Sequence, residues 1–546
     1  MNSELYELLK DNANEDGLPV MDENMFSATT NEYGQEVFRE TLTNYIITEQ
    51  PPFPLKKFDL FATARRFYSL CETHWEDSFS RPDDVHEKHD DYKYPYSAHG
   101  LGVLKCSATY NYTSDSFMND LRLACDSKDQ FSPVLKWRNP KSLKNTLSVI
   151  WTDVNEKARL SEDVYRTAFR LGGYTATQFK PLVAKSIYDM TGARTVLDTS
   201  MGWGDRLTAF FASDATHFIG CDPNPHAFER YQQMVDYWTG LLETPLFGLS
   251  GNNQKTTKLY NCGAEDLPWD EINNVDVAFT SPPYFSTELY NKHGDKSEMQ
   301  SWAKYPEYDA FRDAFFLPVA LSSYKALSET GVLMVNIMDP EVDKVRYHTT
   351  DELVDALKHE NSRFIGQMGM QIKRRPMQKS VFTDAEGYYD KRAAAKHVNQ
   401  VFIDNIWCFA KSANNNLEKA LATIPPTPTE KPGDYHLRDI ASRWGDTPFR
   451  VLPEDQAKYA YYLGKGQWHR EQLQNTDKIL KRMGGRLKIT PKPWTEQQTD
   501  VPTTDLYPHA TRDDYFEWAE CTDEDYLDDD YNRTTEGLIQ GTLNMV

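Results

Sequence analysis

Long hydrophobic runs are missing from this 546-residue sequence. No apolar stretch approaches the roughly 20 residues that a membrane-spanning helix needs. The first residues, MNSELYELLKDNANEDG, also lack the basic and apolar regions of a signal peptide. We therefore expect a soluble protein of the cytoplasm.

Paired cysteines are missing as well. The seven cysteines are odd in number, lie far apart and never occur with the CxxC spacing. This arrangement favours reduced thiols and is atypical of a disulfide framework or a zinc site. The sequence therefore predicts no metal site.

Positive charge is in short supply, because 60 lysines and arginines face 82 aspartates and glutamates, which gives a formal net charge of -22. A protein that grips phosphates normally shows a basic footprint, so this total argues against nucleic acid as a partner. The acidic residues are concentrated, however, in the stretch 505–530, and the hundred residues before it contain several lysine and arginine clusters. Local charge is therefore more informative than the total.

The chain is too long for one ordinary core, and its 39% hydrophobic and 13% aromatic residues indicate globular structure. Local composition, charge and hydrophobic pattern divide the chain into five parts. These are an amino-terminal region of unknown role (1–160), an α/β core (161–411), a proline-rich linker (412–434), a basic and aromatic segment with possible nucleic-acid contacts (435–504) and an acidic tail (505–546).

The α/β core is predicted from alternating strand-like and helix-like segments, which are typical of a mostly parallel twisted sheet covered by helices. Amphipathic helical segments separate short apolar runs, and each of those runs fits a buried strand. The predicted strands are Thr195 to Asp198, His217 to Asp222, Thr257 to Cys262, Val275 to Thr280, Gly331 to Asp339 and Val401 to Lys411.

A glycine loop follows the first predicted strand of this core, in the sequence TVLDTSMGWGDR. Gly202 and Gly204 would let the backbone approach a ligand, although glycine pairs also close many strand-to-helix turns without one. The next strand ends in Asp222, about 20 residues farther on, where a carboxylate can hold a ribose diol. Together the two features favour a ligand that carries a nucleoside.

Two further strand ends carry candidate site residues. Glu265 and Asp266 follow the third strand, where a carboxylate could accept from the amine of an adenine or could cap a helix. The fourth strand runs into Ser281-Pro282-Pro283-Tyr284, which stops the strand and leaves the Ser281 and Pro282 carbonyls beside an aromatic ring. This turn fits a flat group that bears an NH2. Ligands of open parallel sheets bind at the carboxyl ends of the strands.

The motifs VLDTSMGWGD, IGCDPN, GAEDL and TSPPYF, in this order, resemble those of the S-adenosylmethionine-dependent DNA amino-methyltransferases, which methylate adenine N6 or cytosine N4. The GWGDR loop with the DPN strand end also resembles methyltransferase-like proteins of phages and large viruses. The resemblance covers about residues 170 to 411. It implies a Rossmann-like class I methyltransferase core, and it extends the expected location to a host cell's cytoplasm or a virion.

The resemblance also implies roles for individual residues. The implied catalytic clamp holds a flipped base by its exocyclic amine, and its members are Ser281, Pro282, Pro283, Tyr284 and Phe285. The residues implied for S-adenosylmethionine are Asp198, Ser200, Gly202, Gly204, Asp222, Glu265 and Asp266, with Phe179 and Lys180 packed beside it. Two departures from the family pattern are Thr199 and Ser200 in place of an aromatic, and the bulky Trp203 between the glycines.

The chemistry expected of this clamp is direct attack by the amine on the methyl-sulfonium. Hydrogen bonds from the NH2 to the Ser281 hydroxyl and the Pro282 carbonyl would draw electron density onto nitrogen, while Tyr284 stacks on the ring. Methylation at cytosine C5 would need a cysteine in the clamp, and none of the seven cysteines lies there. The sequence leaves cytosine N4 and adenine N6 both open.

The expected partner is DNA, either double-stranded or transiently single-stranded. Phosphate contacts are predicted from Lys373, Arg374, Arg375 and Lys379, from the segment 391–396, and from lysines, arginines and aromatics between 458 and 486. Two alternatives stay open: an RNA-base or protein-amide methyltransferase, and a structural or virion-associated protein built on a methyltransferase-like core. The acidic tail is a solubilising end, a partner-binding arm or a mimic of DNA.

Overall fold

The computed structural model describes residues 2–80, 93–94, 101–127, 130–152, 155, 157–171, 173–243, 255–287, 289–292, 296–373 and 401–424. These residues belong to one compact unit, made of residues 1–375 and 398–425. The unit takes in the predicted amino-terminal region together with the predicted α/β core. Residues 412–424 of the predicted proline-rich linker are described and include a helix, Asn416–Thr423. Residues 425–434, the basic segments after residue 373 and the acidic tail lie outside the described residues.

The strands of the unit form one large sheet and one small hairpin. The large sheet has nine strands in the order β1-β2-β10-β11-β7-β6-β3-β4-β5, and β8 pairs with β9 alone. In chain order the strands are β1 (Phe79–Ser80), β2 (Gly102–Leu104), β3 (Thr195–Asp198), β4 (His217–Cys221), β5 (Thr256–Tyr260), β6 (Val275–Thr280), β7 (Leu327–Asn336), β8 (Glu341–Val342), β9 (Val345–Arg346), β10 (Arg363–Lys373) and β11 (Val401–Ala410).

Strand directions confirm the predicted α/β class with a mostly parallel, Rossmann-like sheet. Strands β5, β4, β3, β6 and β7 are parallel neighbours. Strand β11 runs antiparallel to both β7 and β10, and β2 runs parallel to β10. Strand β6 follows β5 in the chain but pairs with β3 in the sheet. Parallel strands in this order need crossover connections, which the intervening helices supply.

The six predicted strands all exist; β3 and β6 have the predicted ends, and each of the other four has at least one shifted end. Strand β7 begins at Leu327 and ends at Asn336, whereas the prediction placed it at Gly331 to Asp339. Strand β10 was missed by the prediction, since its glycines and polar residues interrupt the apolar pattern. Lys373, predicted to lie in a loop, is instead the last residue of β10. Strands β1 and β2, from the amino-terminal region, are too short to leave a periodic signal.

Helices surround the sheet. They are α1 (Ser3–Asp11), α2 (Glu23–Tyr33), α3 (Gln35–Glu49), α4 (Leu60–Cys71), α5 (Trp75–Ser78), α6 (Asn111–Ala124), α7 (Pro133–Arg138), α8 (Pro140–Leu147), α9 (Glu162–Leu171), α10 (Pro181–Met190), α11 (Asp205–Ala212), α12 (Pro225–Glu243), α13 (Ser301–Lys304), α14 (Tyr308–Phe311), α15 (Leu317–Lys325), α16 (Thr349–His359) and α17 (Asn416–Thr423). Among the described residues, none of these helices combines the length and apolar character needed to cross a bilayer.

The sheet separates two apolar cores because successive side chains of a strand point to opposite faces. Val196, Phe279 and Ile406 belong to the core on one side, here called the first face. Leu197 and Trp407 belong to the core on the other side, the second face. A third core joins the amino-terminal helices. A cavity of about 180 Å³ beside Leu18, Phe53 and Lys56 in that helical region contains none of the predicted site residues.

Candidate active site

The carboxyl ends of four adjacent parallel strands meet at one edge of the sheet. Asp198 is the last residue of β3, Asp222 follows β4, Glu265 follows β5, and Ser281 follows β6. Neighbouring strands are about 4.8 Å apart, so these four positions span about 15 Å. The structure therefore brings together the four strand ends that the sequence analysis assigned to one site.

The glycine loop between β3 and α11 has the left-handed backbone that its glycines allow. Gly202 has φ 57° and Gly204 has φ 76°. A Cβ at Gly204 would lie 2.7 Å from the Met234 sulfur, whereas a Cβ at Gly202 would meet only the Ser200 carbonyl oxygen, at 3.8 Å. Gly204 thus serves close packing against α12, and Gly202 leaves space beside the loop.

Asp222 braces this loop from the neighbouring strand. Its carboxylate accepts the backbone N–H of Gly202 and that of Asn224, both at 3.0 Å. Tyr231 of α12 donates its hydroxyl to the Gly202 carbonyl. Burial raises the pKa of Asp222 to about 6, although the two N–H bonds oppose this shift. A carboxylate can accept about four hydrogen bonds, so Asp222 keeps lone pairs for a ligand.

Asp198 is fully buried and forms an ion pair with Arg206 of α11, with 2.9 Å between Oδ2 and Nε. Its other oxygen accepts the backbone N–H of Ser200 at 3.1 Å, and Arg206 also donates to the Ser200 carbonyl. Asp198 and Arg206 therefore hold the first part of the loop in place. The sequence analysis missed Arg206, although it directly follows the GWGD motif.

Phe179 and Lys180 lie on the first face beside this ion pair. The Phe179 ring lies 5.1 Å from the Arg206 guanidinium and packs edge-on against Phe279. Asn111, at the start of α6, donates to the Phe179 carbonyl at 3.0 Å and accepts from Lys180 at 3.4 Å. The amino-terminal region thus contributes to the site, which the sequence analysis did not foresee.

The two acidic residues after β5 have different environments. Glu265 has a side chain that is 13% exposed, and Lys304 and Tyr305 both donate to its Oε1. Asp266 is mostly exposed and approaches only Lys304, at 3.7 Å. Gly263 permits this placement, because a Cβ there would lie 2.4 Å from Glu265 Oε2. Glu265 is therefore better placed than Asp266 to bind a ligand.

The Ser281–Tyr284 turn follows β6, which lies between β3 and β7 in the sheet. Tyr284 is half-buried and donates its hydroxyl to the main-chain oxygen of Asn336 at 3.3 Å. Phe285 has φ 49° and is buried on the second face, where its ring packs against Tyr308, Phe311 and Tyr347. Phe285 therefore anchors the turn, and a role in the wall of a base pocket stays a prediction.

Buried polar atoms without hydrogen-bond partners accumulate at this edge of the sheet. Buried polar groups are normally paired, so each exception asks for an explanation such as a missing ligand. Within the described residues, the unpaired atoms near the strand ends are Thr199 Oγ1, Asp205 Oδ2, Glu265 Oε2, Thr280 Oγ1 and Asp404 Oδ1. Four of these atoms come from the segments that carry the predicted site, and Asp404 Oδ1 comes from β11, which carries no predicted site residue.

Two of these groups have strongly perturbed acidity. Burial raises the pKa of Asp205 to about 7, against the opposing hydrogen bond from Ser114 of α6. Burial likewise raises the pKa of Asp404 to about 7. Carboxyls with such shifts cluster at functional sites. The sequence analysis named neither residue, although an aspartate inside the apolar run VFIDNIW is a visible signal.

Several solved methyltransferases resemble this chain. NSun6 from Pyrococcus horikoshii, solved with SFG, is 13% identical with a TM-score of 0.26, over 45% of this chain and 54% of that one. Precorrin-6y C5,15-methyltransferase from Geobacter metallireducens is 10% identical with a TM-score of 0.23, over 42% and 87%. The cyclopropane synthase MmaA2 from Mycobacterium tuberculosis is 12% identical with a TM-score of 0.23, over 34% and 63%.

These values are too low to carry an assignment of activity or substrate. No protein-family model matches the sequence, and no curated protein matches it. The functional assignment therefore depends on the residues of the site itself.

Proposed function

We propose that this chain transfers a methyl group from S-adenosylmethionine to the exocyclic amine of a DNA base, cytosine N4 or adenine N6. The observation that carries the proposal is the convergence of Asp198, Asp222, Glu265 and the Ser281–Tyr284 turn at one edge of the sheet. The unpaired buried oxygens at the same edge support it.

The residues present fit the cofactor. S-adenosylmethionine supplies a methyl group bonded to a positively charged sulfur. Asp222 has lone pairs for the ribose hydroxyls, and the unpaired Glu265 Oε2 suits the adenine amine. The open space at Gly202 lets a ligand approach the loop backbone. Asp198 acts indirectly, since its carboxylate is occupied by Arg206 and Ser200.

The substrate side of the proposal depends on the Ser281–Tyr284 turn. Pro282 and Pro283 have no N–H, so the turn offers acceptors to an amine and no competing backbone donor at these two positions. Hydrogen bonds to the Ser281 hydroxyl and the Pro282 carbonyl would orient the amine lone pair, and Tyr284 would stack on the ring. The tyrosine hydroxyl bond to the Asn336 carbonyl sets the orientation of that ring.

DNA is preferred as the substrate because lysines and arginines alternate with tyrosines and tryptophan in the segment 435–504. That segment lies outside the described residues, so its contribution stays a prediction. Base flipping would cost a few kcal/mol, and phosphate contacts from such a segment would offset that cost.

The first test is cofactor binding followed by product analysis. At free S-adenosylmethionine about 100-fold above its Kd, we expect a stabilisation of about 2.7 kcal/mol, measured as a rise in Tm. Incubation with DNA, RNA and glutamine-containing peptides, followed by mass analysis, should then find N4-methylcytosine or N6-methyladenine in DNA. Absence of any Tm shift at millimolar cofactor would favour the structural alternative. Methylated RNA or peptide without methylated DNA would transfer the proposal to that substrate.

A further inference from the structure

A buried carboxyl lies on the far side of the Ser281–Tyr284 turn from the cofactor residues. Asp404 belongs to β11, which runs antiparallel to β7, so the beginning of β11 lies at the carboxyl ends of the parallel strands. Ile406 pairs with Asn336, the last residue of β7, and Asp404 precedes Ile406 by two residues. Asp404 therefore stands at the same sheet edge as Asp198.

Asp404 also points to the same face as Asp198. Residues two apart in a strand share a face, and both Ile406 and Val196 lie in the core of the first face. Strands β7 and β6 separate β11 from β3, so the two carboxyls are about 14 Å apart along the edge. The turn after β6 lies between them, and a nucleobase is narrow enough to fit in that interval.

The environment of Asp404 leaves half of its carboxyl without a partner. Asp404 is only 9% exposed. The Asn336 side chain, which donates to the Asn405 carbonyl at 3.1 Å, and the Asn405 backbone N–H both lie close enough to oppose the rise in the pKa of this carboxyl. Among the described residues, Asp404 Oδ1 has no hydrogen-bond partner. A buried acceptor left in this state costs about 1 to 3 kcal/mol.

Asn336 links this carboxyl to the turn. Its main-chain oxygen accepts from the Tyr284 hydroxyl, and its side chain lies close enough to Asp404 to lower the pKa of that carboxyl. The aromatic ring expected to stack on the base and the unpaired carboxyl oxygen are therefore held by one residue.

Building on the proposed function, we propose that Asp404, held by Asn336, bonds to the ring nitrogen beside the acceptor amine, which is N3 of cytosine or N1 of adenine. The site would then select amines on a heteroaromatic N=C–NH2 edge. A base in which C–H replaces this ring nitrogen would lose the hydrogen bond, whereas a protein side-chain amide presents a carbonyl oxygen in the equivalent place. Asp404 is thus a specificity residue for the acceptor atom beside the amine.

The acidity of Asp404 suits this role. Burial raises its pKa to about 7, so near neutral pH much of it is a neutral acid that can donate to a ring nitrogen. The groups that face it are Asn336 on β7, Met370 on β10 and Cys106 after β2, with Lys180 near the same thiol. Burial raises the pKa of Cys106 to about 12, so that thiol stays uncharged.

The test compares oligonucleotides that contain the natural base or its deaza analogue, in which C–H replaces the ring nitrogen. For the full-length protein, we expect kcat/KM to fall by about 10- to 100-fold on the deaza substrate, as loss of one buried hydrogen bond predicts. Asp404→Leu should methylate both substrates equally slowly. Asp404→Asn, which can still donate, should keep the discrimination. Asp120→Leu on α6, where Asp120 pairs with Arg230, is the control and should discriminate like the wild type.

A pH profile keeps the inference falsifiable if Asp404→Leu does not fold. Wild-type kcat/KM should fall as pH rises above about 7, because the carboxyl then loses its proton, whereas Asp404→Asn should show no such fall. The role of Asp404 would be overturned if the wild type and Asp404→Asn had equal pH profiles, or if Asp404→Leu discriminated fully between the natural and the deaza substrate. Either result would leave the proposed function intact. If the wild type binds S-adenosylmethionine but methylates neither oligonucleotide, the proposed function fails and this inference fails with it.

Discussion

We expect single carboxyls to decide the ligand chemistry of this site, and Asp222 is the clearest case. It accepts two backbone N–H groups, so its placement is set before any ligand arrives. A carboxylate can accept about four hydrogen bonds, so lone pairs remain for a ligand. One residue therefore holds the loop and can offer an acceptor, and its ionised form is the stronger acceptor.

Cofactor affinity should depend on pH through Asp222. Burial raises the pKa of this carboxyl to about 6, so it is ionised above that value and protonated below it. We expect the Kd for S-adenosylmethionine to rise as pH falls through about 6, because the neutral acid is a weaker acceptor for ribose hydroxyls. Calorimetric titration at several pH values measures this.

The matched variant for that experiment is Asp222→Asn, which keeps the shape and loses the charge. Its affinity should be lower than wild type by about 10-fold and should not change between pH 5 and pH 8. A pH dependence retained in Asp222→Asn would assign the titration to another group.

Tyr284 should act through its ring more than through its hydroxyl. Tyr284→Phe removes the hydroxyl that donates to the Asn336 carbonyl at 3.3 Å and keeps the ring, so we expect less than about a 5-fold loss in kcat/KM. Tyr284→Ala removes the stacking surface, and stacking on an aromatic is worth about 1 to 3 kcal/mol per base, or about 10- to 100-fold. Steady-state methyl transfer to DNA measures both. Equal losses for the two variants would mean that the hydroxyl is the important group.

Whole elements of the fold are fixed by backbone features at their ends. The α11 helix begins directly after Gly204, so the glycine loop determines both the start of the helix and the position of Arg206 behind Asp198. Helix α12 packs on the same loop through Met234 and Tyr231. The geometry of the loop is therefore a property of β3, α11 and α12 together.

Two glycine-to-alanine changes test this at the level of elements. Gly204→Ala should destabilise the protein by about 1 to 3 kcal/mol, because φ is 76° and the new Cβ would lie 2.7 Å from the Met234 sulfur. Gly240→Ala in α12 should stabilise it by about 0.5 to 1 kcal/mol, since among the described residues a Cβ there would meet nothing within 4 Å outside its own helix. Thermal unfolding measures both effects. If Gly204→Ala and Gly240→Ala destabilised the protein equally, the role assigned to the loop would be refuted.

Charge is distributed unevenly over the whole molecule. The tail 505–546 holds twelve acidic and two basic residues, which is nearly half of the net charge of -22. A block of this size repels phosphates over a distance set by the ionic strength. The effect of the tail on nucleic-acid binding can therefore be separated from direct contacts by varying salt.

Deletion of residues 505–546 should raise affinity for DNA several-fold at about 50 mM salt, with the difference vanishing near about 300 mM. Fluorescence anisotropy with a labelled oligonucleotide measures both conditions. An increase that persists at high salt would instead favour direct coverage of a basic segment by the tail, as the DNA-mimic hypothesis requires. No change at either salt concentration would leave the tail as a solubilising end.

The sequence by itself determined the α/β class, the six predicted strands and the set of strand ends that meet at the site. Local patterns suffice for these features, because strand period, glycine positions and prolines act over a few residues. The ends of β7 and the existence of β10 were missed, since ladder pairing with β11 sets them and the local pattern does not.

Only the tertiary structure decided which of these side chains are free to bind. Asp198 is neutralised by Arg206, and Phe285 is buried in the core of the second face. Glu265 keeps one oxygen unpaired, whereas Asp266 is exposed to solvent. The contribution of Asn111 and the position of Asp404 opposite the cofactor residues also depend on contacts between distant segments. A sequence pattern lists groups that could bind, whereas packing and pairing across the sheet determine which of them keep an unpaired atom.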